Sequence, residues 1–214
     1  MNDLHGFHPQ SFTAASGESD TAFYSRRPAG PMLDQGAQAA ITALYRTLLP
    51  EGGDILDLMA GPDSHLPPDM EFGSVIGIGV NAQALDSNTR LTDRVVEDLN
   101  ETPELPLADE SMDAVLLCDV APYLRQPVTL LREAARVLQP GGLIILTSGT
   151  RFIPHKATAL WQALDETDRR RMLETLLARA GFGPVDNGTV TPAPEDLFWH
   201  DAVHAMTARR PDVV

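Results

Sequence analysis

Apolar residues gather in short dense runs at 54–59, 74–79, 94–98, 112–118 and 143–148. Each has the length of a strand, and most lack an alternating polar face. That is the pattern of strands buried on both sides of a parallel sheet. Elsewhere the apolar positions recur at helical spacing. Ala39, Ile41, Leu44, Tyr45 and Leu48 place a helix over 32–49, stopped by Pro50-Glu51-Gly52-Gly53. Val128, Leu131, Ala134, Ala135 and Leu138 place another over 126–138, ended by Pro140-Gly141-Gly142. A third spans 165–180 and closes at Gly181. Two late strand-like runs follow, at 182–186 and 202–209. Strands alternating with helices predict an open α/β sheet with helices on both faces. Residues 1–20 are polar and aperiodic. They read as a loose, flexible tail or as a segment that orders over a ligand. That leaves 21–214 as a single domain.

Composition narrows the setting. A chain of 214 residues suits one domain. It has 30 acidic against 16 basic residues, a formal net charge of -14. Such a surface repels nucleic-acid phosphates and anionic membranes, so a small-molecule partner is the residual inference. The single cysteine, Cys118, excludes an internal disulfide framework and a cysteine-rich metal site. No apolar run approaches the ~20 residues of a membrane helix. Met1-Asn2-Asp3-Leu4-His5 lacks the basic and apolar regions of a signal peptide, so a cytoplasmic location is expected.

In open α/β sheets, ligands bind at the carboxyl ends of the strands. The first strand leads into Asp57-Leu58-Met59-Ala60-Gly61-Pro62-Asp63-Ser64-His65, and the fourth into Cys118-Asp119-Val120-Ala121-Pro122-Tyr123. Between them lie Glu97-Asp98-Leu99-Asn100 and a Leu-Pro-x-x-Asp-x-Ser-x-Asp stretch from Leu105 to Asp113. Arg136-Val137-Leu138-Gln139-Pro140-Gly141-Gly142 precedes the fifth strand. In this order, ILDLMAG, EDLNETPELPLADESMDAVLLCD and LLREAARVLQPGGLIILT resemble the class I S-adenosylmethionine-dependent methyltransferases of the type 11-like group. The resemblance covers 32–150 and continues to 209. It implies a Rossmann-like, doubly wound seven-stranded sheet of order 3-2-1-4-5-7-6 with the last strand antiparallel. It also implies S-adenosylmethionine as cofactor and methyl transfer to an acceptor as the reaction.

The resemblance carries over residue by residue. The family's glycine-rich loop reads Asp-x-Gly-x-Gly-x-Gly. Here Asp57 and Gly61 match, while Met59 and Asp63 stand at glycine positions and Pro62 stiffens the turn. The acid that ends the second strand and holds ribose hydroxyls is replaced by Gly79, leaving Asn81 as a neutral substitute. Asp98 and Leu99 match the adenine site. Asp119 falls beside the transferring methyl group. The cofactor set is therefore Asp57, Met59, Gly61, Asn81, Asp98, Leu99 and Asp119. A loop cap is the competing reading for Asp57, and a structural role is equally weighted for Asp98. Asp113 is read as capping the strand entry.

For catalysis, Asp119, Tyr123 and His155 are the candidate bases, needed only if the acceptor must lose a proton. Arg151, His155 and Lys156 form a basic cluster after the fifth strand, suited to an anionic acceptor or to a solvated helix start. Phe23-Tyr24-Ser25-Arg26-Arg27 precedes the first predicted helix. There Tyr24 and Arg27 can close the site on the substrate, or Phe23 and Tyr24 can pack on the sheet edge. His65 opens a predicted short helix and either helps hold the cofactor carboxylate or caps. His200 and His204 read as a loop entering a strand, so no metal site is assigned. Arg169-Arg170-Arg171 reads as a solvated helix face. Two other classes remain in view. One is a catalytically idle relative binding a nucleoside or a partner protein. The other is a nicotinamide oxidoreductase, disfavoured by the lack of Gly-x-Gly-x-x-Gly.

Overall fold

The computed structural model describes residues 4–27, 32–193 and 195–212. Seven strands form the sheet: β1 (Asp54–Leu58), β2 (Ser74–Gly79), β3 (Asp93–Val96), β4 (Met112–Cys118), β5 (Leu138–Ser148), β6 (Asp186–Val190) and β7 (Val203–Arg209). Their order is β3-β2-β1-β4-β5-β7-β6. The first five are parallel, and β7 inserts antiparallel between β5 and β6. This is the sheet that the sequence resemblance implies.

The near-continuous apolar runs follow from two cores. Successive residues of a strand face opposite sides. Ile55, Leu116 and Ile145 pack in one core with Ala37, Ile41 and Tyr45 of α2 (Gln35–Leu48). Leu56, Val115 and Ile144 pack in the other with Leu131 and Ala134 of α4 (Pro127–Val137) and Leu173 and Leu177 of α6 (Glu166–Ala180). Both faces of the central strands are thus dry. Among the described residues, no helix is long and apolar enough to cross a membrane.

Boundaries differ from the sequence reading where a cap or a distant contact decides them. Asp34 caps α2 by accepting from the Ala37 N–H at 2.8 Å, so the helix starts at Gln35. Helix α4 stops at Val137 and β5 begins at once, so Pro140-Gly141-Gly142 lies within the opening residues of the strand. Gly181 closes α6 with φ 97°, as read. The late strand expected over 182–186 sits at 186–190, on the exposed sheet edge. Asp113 accepts from the Asp54 N–H at 2.8 Å, tying β4 to β1 at the end of the sheet opposite the site.

The larger difference is at the N-terminus. Part of the predicted tail, residues 1–3, lies outside the described residues. The rest is packed rather than loose. Phe12 is buried, with Phe7 against its ring edge-on, and Ala14 forms a β-bridge with Thr158. Phe23 and Tyr24 belong to a helix, α1 (Asp20–Arg26), capped by Ser19. Two short helices, α3 (Ala82–Ser87) and α5 (Ala159–Ala163), lie after β2 and before α6.

Candidate functional site

A cleft of about 220 Å³ opens at the carboxyl ends of β1, β2, β3 and β4, beneath α1. Asp57, Met59, Gly61, Asn81, Asp98, Leu99 and Asp119 all line it, as do Tyr24, Arg27, Tyr123 and His65. The cofactor set read from the sequence is therefore brought together. Arg151, His155 and Lys156 do not line this cleft.

The loop after β1 is held in a strained shape. Met59 has φ 56° and His65 φ 53°, a left-handed region that costs a side-chain-bearing residue about 1–2 kcal/mol. Met59 thus adopts a backbone shape natural to the glycine it replaces. Residue 65 lies in this loop, and the short helix expected there is absent. A Cβ on Gly61 would meet no protein atom within 4 Å, so this glycine faces open space in the cleft wall. Asp57 is buried and accepts from the Ser64 hydroxyl at 2.6 Å, while Asn88 donates to Ser64 at 2.8 Å. Burial pushes the Asp57 carboxyl up to about 7, against the lowering effect of the Ser64 bond.

The end of β2 is shaped by the same loop. Ala60 donates to the Ile78 carbonyl at 2.8 Å, laying its own carbonyl over Gly79. A Cβ at Gly79 would lie 2.3 Å from that oxygen. No side chain fits there on this backbone, which accounts for the missing acid. Asn81 does not replace it. Its Oδ1 accepts from Ala84 N–H at 3.1 Å to cap α3, and its Nδ2 donates to the Tyr24 carbonyl at 2.8 Å. Its polar atoms are engaged inside the protein, not held ready for a ribose.

On the other side, Asp98 Oδ1 accepts from Asn100 N–H at 3.0 Å, but Oδ2 is buried with no partner. Burial raises this carboxyl above its ordinary value. Asp119 sits at φ 57° and accepts from Gly149 N–H at 3.2 Å. Burial pushes it up to about 6, Asp201 adding to the rise and Arg151 opposing it. Tyr24 is pushed up to about 12 by burial. Tyr123 rises further for the same reason and accepts from Ile153 N–H at 2.9 Å. Both phenols stay neutral near pH 7, so Tyr123 can donate a hydrogen bond but is a poor base.

The basic cluster is already neutralised. Arg151 makes two bonds to Asp201, at 2.9 and 2.6 Å. Lys156 is buried, with its ammonium on the Asp20 carboxylate, 2.9 Å from the Glu18 carbonyl and over the Phe23 ring. His155 is exposed and meets Phe23 edge-on. Charge pairing thus removes the anion-binding arrangement expected from the sequence spacing. Arg169 is not solvated either: it donates to the Trp161 carbonyl at 2.9 Å and stacks near Phe152 and Trp161.

One residue at the site falls within the stretch whose sequence reads as a tail. Asp20 is buried, and besides Lys156 it binds Arg125 at 3.0 Å and Asn100 at 2.8 Å. Asn100 stands two residues from Asp98, so this network pins α1 above that acid. The Ser-Asp pair at 19–20 is a helix-start signal that could have revealed it.

The strand order and the cleft at the strand ends define a Rossmann-like methyltransferase fold. Residues 56–146 match the model of the methyltransferase domain family. It is 30% identical over 127 residues, 53% of its length, to an uncharacterised 37.1 kDa protein of a Streptomyces fradiae transposon, of which 37% is covered. It is 34% identical over 98 residues, 45% of its length, to an uncharacterised methyltransferase of Mycobacterium bovis, of which 40% is covered. The chain therefore spans well under half the length of these curated relatives. A crystal structure of an Aquifex aeolicus S-adenosylmethionine-dependent methyltransferase superposes with TM-score 0.59 and 16% identity, covering 90% of this chain and 100% of that one.

The cofactor implied is S-adenosylmethionine, and the residues present fit it. The orphaned Asp98 Oδ2 is an acceptor awaiting an N–H donor such as an exocyclic amine. Gly61 leaves open a place that any Cβ would partly fill. Asp57, behind the loop, supplies a buried carboxyl group on the cleft wall, which a cationic amino-acid moiety would draw toward its ionised form.

Proposed function

We propose that this chain transfers a methyl group from S-adenosylmethionine to a small-molecule acceptor. The observation that carries the reading is the convergence in one cleft of a partnerless acceptor atom, Asp98 Oδ2, and a buried carboxyl group, Asp119. The cofactor, when bound, supplies an electrophilic methyl on sulfur. What remains for the protein is alignment and exclusion of water. Asp98 and Leu99 hold the adenine end, and the Met59–Gly61 backbone holds the amino-acid end. The α1 helix and the residue that follows it cover the cleft through Tyr24 and Arg27. Asp119, raised to about 6, accepts the acceptor's proton as the nucleophile gains the methyl. Tyr24 and Tyr123 orient the acceptor as neutral hydrogen-bond donors.

The test is transfer of labelled methyl across a panel of small amine, hydroxyl, thiol and carbon acceptors. Asp119→Asn is expected to lower turnover by about 10²–10⁴-fold for a proton-bearing nucleophile. S-adenosylhomocysteine affinity should stay within a few-fold. Tight S-adenosylhomocysteine binding with no transfer to any acceptor would instead make the chain a catalytically idle nucleoside-binding relative.

A further inference from the structure

We infer that Glu97 holds the ribose hydroxyls of the bound nucleoside, from the end of β3 instead of the end of β2. This rests on the cofactor reading above and adds a residue to it.

Glu97 follows β3 directly and lines the cleft. Its N–H donates to the Gly79 carbonyl at 3.0 Å, which seats it beside the last residue of β2. Among the described residues its carboxylate has no hydrogen bond or ion pair, and the residue is half-buried. Other cleft acids are engaged: Asp57 with Ser64, Asp119 with Gly149, and Asp20 with Arg125 and Asn100. Asp98 uses one oxygen on Asn100 and keeps the other without a partner.

The chemistry of the pair is complementary to one ligand class. A vicinal diol offers two O–H donors, and an ionised carboxylate offers two acceptor oxygens and no donor. An exocyclic amine offers N–H donors to the orphaned oxygen of the adjacent Asp98. Two consecutive acids, one partnerless and one half-satisfied, therefore read an amine and a diol together, as an adenosine-type nucleoside presents them. The other places for this function are closed. The Ala60 carbonyl excludes any side chain at Gly79, and the Asn81 amide is spent on Ala84 and Tyr24.

The experiment is calorimetric titration of the full chain with S-adenosylhomocysteine and with its 2′-deoxyribose counterpart. Wild type, Glu97→Gln and Glu97→Asp are compared, and the melting temperature of each unliganded variant serves as the folding check. Wild type is expected to bind the ribose form about ten- to a hundredfold more tightly than the deoxy form, the scale of a charge-assisted hydrogen bond. Glu97→Gln should lose affinity for the ribose form by a similar factor and should scarcely distinguish the two ligands. Glu97→Asp, which keeps the charge on a shorter stem, should fall between. If Glu97→Gln retains both its affinity and its discrimination, Glu97 is only a solvated acid at the cleft lip and the inference is overturned. If folded wild type binds neither ligand, the cofactor reading itself fails, a result distinct from the first.

Discussion

Met59 and Gly79 show how single residues shape this cleft. Met59 carries a left-handed backbone, and its side chain packs only partly on the core. Met59→Gly removes the strain at some cost in contacts, and should leave stability within about 1 kcal/mol of wild type. Met59→Val places a β-branched residue at positive φ and should destabilise by about 1–2 kcal/mol. Thermal melts of the two variants check the order. At Gly79 the obstacle is the Ala60 carbonyl, so restoring the family's acid cannot restore its function. Gly79→Asp is expected to weaken S-adenosylhomocysteine binding by displacing the loop; calorimetry showing tighter binding would refute this. Asp57 adds a pH dependence. The native state holds its proton up to about pH 7, whereas the unfolded chain releases it near pH ~4. Its contribution therefore makes stability fall as pH rises through that interval and level off above it. Asp57→Asn should flatten this part of a denaturant-derived stability profile. The Asp57-to-Gly61 stretch was legible as a site because the glycine pattern is local. The block at Gly79 was not, because it comes from a carbonyl nineteen residues earlier in the chain.

Among the elements, the central strands were the most legible, since burial on both faces writes a continuous apolar run into β1, β4 and β5. Helix α1 was not legible as a helix. It is seven residues long and is held by tertiary contacts. Lys156 and Arg125 converge on Asp20 from distant parts of the chain. Local spacing alone placed Lys156 with Arg151 and His155 as an anion site, because a buried partner on the N-terminal segment leaves no sequence trace near residue 156. The latch makes its own prediction. Lys156→Met leaves the buried Asp20 with Arg125 but without its ammonium, and removing one partner of a buried pair costs about 3–5 kcal/mol. The loss should concentrate in α1. Amide exchange should quicken over 20–26 while β1 and β4 stay protected. Uniform faster exchange across the sheet would mean that Lys156 supports the whole fold and not the latch.

At the scale of the molecule, the two cores fix one sheet, and the sheet gathers four strand ends around a single cleft. The cleft is rich in acids, with Asp57, Glu97, Asp98 and Asp119 on its walls. That balance suits a ligand bearing an amine, a diol and a positive charge, and it opposes an anionic one. The acceptor side gave least to sequence reading, because its residues come from α1, the turn after β4 and the segment after β5, which meet only in the folded chain. The most direct test of the account is a crystal structure of the chain with S-adenosylhomocysteine. It should show the exocyclic amine at the Asp98 carboxylate, the amino-acid end over the Met59–Gly61 backbone and the sulfur facing Asp119. A ligand bound away from the ends of β1 to β4, or a cleft left empty at saturating ligand, would contradict it.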